Sequence, residues 1–144
     1  MLTTYHSLNN ALATQLTNAA CDYAAQQGLN ICVWILDHAG HPLAFQRMPG
    51  APLHSIQIAQ DKAYTAVSFG FATHLWQQRL QDKPALRDAL SQQPRLLMFG
   101  GGFPLLMDKE RIGAVGISGA SEQQDIECAE HALRCFEDAI QQYR

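Results

Sequence analysis

Apolar positions recur at steps of three and four along residues 8–27, where Leu12, Leu16, Ala19, Ala20, Tyr23 and Ala24 share one side of a helix. Ser7 is placed to cap its start, and Gly28 to end it in the left-handed conformation. Residues 31–36 are apolar at every position and rich in β-branched side chains, which predicts a central strand covered on both faces. Asp37-His38-Ala39-Gly40 is a turn signal. Residues 43–48 alternate weakly, so the two runs read as an antiparallel hairpin, ended by Pro49-Gly50-Ala51-Pro52.

The helical period returns over residues 55–69, with Ile56, Ala59, Ala63, Ala66 and Val67 as the buried stripe and Gly70 as the stop. Thr73 can cap a short helix over 76–80, and 84–90 reads as another short helical segment. Residues 96–99 are expected to form a short strand before Gly100-Gly101-Gly102. Two further strands, 103–107 and 112–118, are joined by the charged turn 108–111. Ser121 and Gln124 form a capping box that opens a last helix running to about residue 141. Its core stripe is Ile126, Ala129, Leu133, Phe136 and Ile140. Hairpins dominate and βαβ alternation is lacking. The expectation is an α+β fold over a single domain, 1–144, with a five-stranded antiparallel sheet flanked by helices.

Composition narrows the function classes. The length of 144 residues suits one domain. The net charge of −3 comes without a basic run, which argues against nucleic acid as a partner. The longest apolar run, 31–36, is far short of the ~20 residues that span a bilayer, so no membrane partner is expected. The N-terminus lacks the charged and apolar regions of a signal peptide, which points to the cytoplasm. Cys21, Cys32, Cys128 and Cys135 form no C-x-x-C pair and are expected to be reduced, buried thiols. Charged residues make up 16%, against roughly 25% in an ordinary domain. With Cys128, Ala132, Cys135 and Ala139 widening the apolar arc of the last helix, this predicts a homo-oligomer.

Candidate chemistry is sparse. His38 and His41 stand three apart beside Asp37, which suits either a polar hairpin tip or a ligand pair. Gly100, Gly101 and Gly102 fit a sharp turn, a flexible connection or a close approach to a ligand. Ser118, Gly119 and Ser121 lie at a helix N-terminus, where free N–H groups favour a small anion, although capping alone explains Ser121. Arg47 and Lys62 are candidate side-chain partners for that anion, and Lys62 can equally snorkel at the edge of its apolar stripe. No spacing selects a catalytic group or a resident metal site.

Taken in order, these segments resemble the GlcG/HbpS family, which includes the C-terminal domain of PduO proteins. The resemblance runs from about residue 8 to 139. Its carriers are Asp37 with Gly40-His41, Leu43-Ala44-Phe45, Arg47-Met48, Ala51-Pro52, Ala59, Lys62-Ala63, Thr65-Ala66, Gly100-Gly101-Gly102 with Pro104, residues 113–119, and Gln124-Asp125 with Ala129. It implies a profilin-like α/β/α arrangement and a protein that binds haem or a related tetrapyrrole, with association into homo-oligomers. It also implies a role beside glycolate, glycerol or diol metabolism. Within the matching segment Gly40-His41-Pro42-Leu43-Ala44-Phe45, His41 is the expected axial ligand and His38 its substitute, with Pro42 where the family has an apolar branched residue. Two other readings stay open: an enzyme acting on a small oxygenated metabolite through Lys62, Arg47 or His41, and a non-catalytic oligomeric accessory protein.

Overall fold

The computed structural model describes residues 1–143. Helix α1, Asn10–Gln26, starts where Asn9 Oδ1 accepts the Leu12 N–H at 2.9 Å. The cap is thus two residues later than expected, and Ser7 Oγ instead accepts the His38 N–H. Gly28 takes φ +70 at the other end, as the left-handed stop requires. Strand β1, Cys32–Asp37, and strand β2, Pro42–Arg47, form the expected hairpin. Helix α2, His54–Phe69, ends at Gly70 with φ +81.

A 3₁₀ turn, Thr73–Leu75, leads into two short helices, α3, Trp76–Arg79, and α4, Pro84–Ser91. Strand β3, Gly102–Met107, and strand β4, Glu110–Ser118, meet at a tight turn whose two residues, Asp108 and Lys109, both have positive φ. Helix α5, Glu122–Tyr143, closes the chain behind the expected capping box. In that box Ser121 Oγ accepts the Gln124 N–H at 3.2 Å, and Gln124 Oε1 accepts the Ser121 N–H at 3.1 Å.

The sheet is four-stranded and wholly antiparallel, in the order β2-β1-β4-β3. The fifth strand expected over 96–99 does not form. Arg95 turns the chain at φ +64, and the Leu97 N–H donates to the Thr65 hydroxyl of α2 rather than to a neighbouring strand. Leu96 packs with Trp76 and Leu80 in a satellite cluster beside α3.

Side chains alternate across β1, so one strand serves two cores. Val33 and Ile35 face α1 and α5, which lie side by side and enclose Leu16, Ala20, Val115, Ile117, Ala129 and Phe136. Leu36 faces α2 on the other side with Ala63, Ala66 and Ala114. Each large apolar side chain buried in this way contributes about 1.5–3 kcal/mol. Gly116 explains how close α2 lies to the sheet. A Cβ there would collide with Ala59 O and stand 2.6 Å from Ala63 N. Helix α2 leaves β2 largely uncovered on this side, where Phe45 stacks on Trp34 at 4.3 Å and stays 40% exposed.

Candidate functional site

The residues singled out in the sequence fall into two places. Asp37 ends β1 at the hairpin tip, where its Oδ1 accepts the N–H groups of Ala39 and His41, both at 2.9 Å. Its Oδ2 lies 3.4 Å from His41 Nδ1. Burial alone would raise the Asp37 pKa. The His41 and Ala39 N–H groups and the two imidazoles outweigh that, and hold the carboxyl below its ordinary value. The His41 side chain is 77% exposed. His38 stacks on Tyr5 at 5.2 Å, and its enclosed Nδ1 has no hydrogen-bond partner among the described residues.

The second place lies at the other end of the strands. In the register, Arg47 and Ser118 flank Cys32, whereas Asp37 pairs with Gly113. Five residues of strand therefore separate them from the histidines, about 17 Å. Arg47 donates to the Met48 and Ala51 carbonyls and so closes its own turn.

Lys62 is the centre of this end. Its side chain is 0% exposed, so it does not snorkel. Nζ donates to Ile117 O at 2.9 Å and to Asp125 Oδ2 at 3.1 Å, under the Phe99 ring. Burial lowers the Lys62 pKa and raises that of Asp125, each opposed by the attraction of the other.

Of the three glycines, Gly101 lies against this ammonium, while Gly102 packs on the Lys62 backbone carbonyl and Gly100 on Ile126 and His74. Gly101 has φ +126, and a Cβ there would stand 2.6 Å from Ile117 O and 2.8 Å from Lys62 Nζ. The Gly102 N–H donates to Thr73 Oγ1, and the Gly100 N–H donates to Glu122 Oε2 at 2.6 Å. The run is therefore a close-fitting turn.

The anion at the N-terminus of α5 is the protein's own. Asp125 Oδ1 accepts the Ala120 N–H at 3.0 Å, while the Ser121 and Gln124 N–H groups serve the capping box. Gly119, at φ +126, packs against Asn30 O, and Ser118 is buried in the β1–β4 ladder. With Glu122 and Asp125 both at this terminus, the expected external anion at Ser118, Gly119 and Ser121 would meet two carboxylates. Lys62 is buried and bonded within the chain and is unavailable to support it, while Arg47 spends its Nη1 on the Met48 and Ala51 carbonyls.

His74 was not singled out by its sequence position next to a helix start. Its β-carbon lies over Gly100, its ring is 5.7 Å from Phe103, and its enclosed Nδ1 has no partner among the described residues. His6, ahead of the first helix, is pinned to Glu110, with Nδ1 2.8 Å from Oε2.

This arrangement has known relatives. A family model described as haem degrading protein HbpS-like matches residues 8–134. The chain belongs to the HbpS-like family. It is 36% identical over 129 residues to a 15.0 kDa protein from the dhaT–dhaS intergenic region of Citrobacter freundii, covering 89% of this chain and 91% of that one. The Klebsiella pneumoniae protein ORFY superposes with a TM-score of 0.88 at 32% identity, over 94% of both chains. A PduOC:heme complex superposes with a TM-score of 0.80 at 36% identity, over 90% of this chain and 94% of that one. These neighbours share the α+β architecture; the PduOC neighbour is a complex with heme, and the family model is described as a haem degrading protein. No helix among the described residues is long and apolar enough to cross a membrane, and none of their His, Cys, Asp and Glu side chains cluster to hold a metal ion.

The donors at the hairpin tip fit haem iron. A carboxylate facing Nδ1 of an imidazole fixes the N–H on that nitrogen and leaves the Nε2 lone pair for a metal, an arrangement that recurs at metal-bound histidines. Asp37 Oδ2 lies 3.4 Å from His41 Nδ1, an ion-pair distance without a hydrogen bond, which places the carboxylate beside the ring without fixing its tautomer.

Proposed function

We propose that this protein binds haem or a related tetrapyrrole at the Asp37–His41 tip, with His41 as the axial ligand and His38 able to replace it. The observation that carries the reading is the Asp37 carboxylate facing His41 Nδ1 at 3.4 Å on an exposed ring. The similarity to a PduOC:heme complex at 36% identity supports the same ligand. Bound haem iron would supply the redox and gas-ligand chemistry of an open coordination position. The chain's own contribution is to fix the His41 backbone on Asp37 Oδ1 and to keep the carboxylate at an ion-pair distance from the ring.

An exposed histidine cannot by itself shield a macrocycle from water. The proposal therefore includes a homo-oligomer, in which a second copy supplies apolar cover. The exposed Phe45 on Trp34 and the exposed Leu53 provide apolar surface for association. A cytoplasmic, accessory role in glycerol, diol or glycolate metabolism completes the reading, supported by the dhaT–dhaS location of the Citrobacter relative's gene.

The test is a haem titration of the wild type beside His41→Ala and His38→Ala, followed by the Soret band. A shift in the wild type that is lost in His41→Ala is expected. An unshifted Soret band in the wild type ends the haem reading. A shift unchanged in His41→Ala ends the ligand assignment alone.

A further inference from the structure

A cleft of about 390 Å³ opens between α2 and the segment that follows α4. Tyr64, Phe69, Leu90 and Leu96 give it apolar walls, and Ser68 and Arg95 bring polar groups to it. Arg95 is built into this wall with unusual care. Its backbone has φ +64, a left-handed conformation that residues other than glycine rarely adopt. Thr65 holds that turn from α2, with its hydroxyl 3.0 Å from both Arg95 O and Leu97 N.

The guanidinium is held as firmly as the backbone. Nε donates to Asp61 Oδ1 at 3.0 Å, and the group lies 3.7 Å over the Tyr64 ring. Neither Nη donates to any other described residue, so the terminal edge of the fork is available. Asp61 cancels one positive charge, but a second guanidinium, Arg111, donates to the Val67 and Ser68 carbonyls at the end of α2, Ser68 being a residue that lines the cleft. The local balance is one net positive charge. It suits a monoanion better than a dianion.

We propose that this cleft binds a carboxylate carried on a flat apolar body, with the Nη edge of Arg95 as its fork and Tyr64 and Phe69 as its walls. A guanidinium whose Nε is already fixed presents its two terminal nitrogens to a carboxylate in a set plane. The volume lies within the range of small-molecule sites, roughly 300–1,000 Å³. Two sources offer this chemistry. One is a free aromatic or apolar monocarboxylate. The other is a propionate of a tetrapyrrole seated at the hairpin tip, because Tyr64 joins the two places: a Cβ at Gly40 would stand 3.1 Å from Tyr64 Cε1. Only the second source rests on the haem reading.

The experiment titrates ¹⁵N-labelled full chain with benzoate and with benzyl alcohol, its neutral counterpart. In parallel it compares haem with haem dimethyl ester by the Soret band. The variants are Arg95→Gln and Ser68→Asp. The second puts a carboxylate at the cleft and leaves the Asp61–Arg95–Tyr64 stack untouched, so it reads the site even if Arg95→Gln disturbs the fold. For a free carboxylate, benzoate shifts the amides of Ser68 and Arg95, binds about tenfold or more tighter than benzyl alcohol, and weakens about tenfold in both variants. For a propionate, benzoate is silent, haem binds about tenfold tighter than its ester, and that advantage disappears in both variants. Benzoate no better than benzyl alcohol together with haem no better than its ester overturns the proposal, as does a carboxylate advantage that survives Ser68→Asp. Benzoate binding without any Soret shift upholds the cleft and removes only the haem reading.

Discussion

Lys62 and Asp125 meet 3.1 Å apart in a place from which water is excluded, with 0% and 4% of their side chains exposed. The pair ties α2 to the start of α5 across the end of β4, since Nζ also holds Ile117 O and Asp125 Oδ1 holds Ala120 N. Burial opposes both charges, so the pair persists only because each group is the other's counterion. Lys62→Met leaves a buried, uncompensated carboxylate and is expected to cost about 3–5 kcal/mol. Lys62→Met with Asp125→Asn removes both charges and keeps an acceptor for Ala120 N–H. The double variant should therefore be more stable than Lys62→Met alone. Urea denaturation midpoints at constant slope measure both.

Gly116→Ala should loosen the α2 layer. The new methyl group meets backbone atoms, Ala59 O and Ala63 N, which cannot rotate away as a side chain would. Overpacking costs typically 1–3 kcal/mol, and this substitution should reach about 3 kcal/mol because the helix itself has to move. Hydrogen exchange in α2 would rise selectively. Exchange in α2 that matches the wild type would show that the helix does not rest on this contact.

Asp37 makes stability depend on acid. Its folded pKa lies below its ordinary value of 3.8. The folded state therefore binds fewer protons than the unfolded state in the window below pH 3.8. The contribution is complete above that pH and is lost as pH falls through the folded pKa. Asp37→Ala, which removes the acceptor of two N–H groups, should cost about 1.5–3 kcal/mol at neutral pH. The gap to wild type should narrow as pH falls below 3.8. A gap independent of pH from neutrality to pH 2 would contradict the assignment.

The cysteines should be unreactive in a graded order. Burial pushes the Cys21 thiol up to about 11 and the Cys128 thiol up to about 12, and Cys32 is enclosed as well. Cys135 is half-buried. An aromatic disulfide reagent at pH 8 should label Cys135 first, and the other three only as fast as the protein unfolds. Fast labelling of Cys128 in the native state would show that the α1–α5 layer opens.

The elements that were legible share a local cause. The stripe Leu12, Leu16, Ala20 and Ala24, the unbroken run at 31–36 and the Ser121–Gln124 box each specify a helix, a buried strand or a cap within a few residues. The failures share a cause as well. Residues 96–99 look like strand, but the partner of Leu97 N–H is a side chain 32 positions earlier. Lys62 has the surroundings of a snorkelling lysine until Asp125, 63 positions later, is brought onto it. The serine–glycine segment at 118–121 has the features of an anion site because sequence does not reveal that Asp125 folds back to fill it.

For the candidate site, sequence by itself placed His41 beside Asp37, because a turn brings residues four apart within reach of one carboxylate. Tertiary structure alone decided that Arg47 stands at the far end of the strand from His41, since direction along a strand fixes distance once the register is set. It alone brought Arg95 onto Tyr64 and Asp61, which are neighbours on one face of α2. Hydrophobic period and turn chemistry act over one or two turns of chain. Which charges face each other depends on how helices stack across a sheet, and that is settled by packing between segments that the chain keeps far apart.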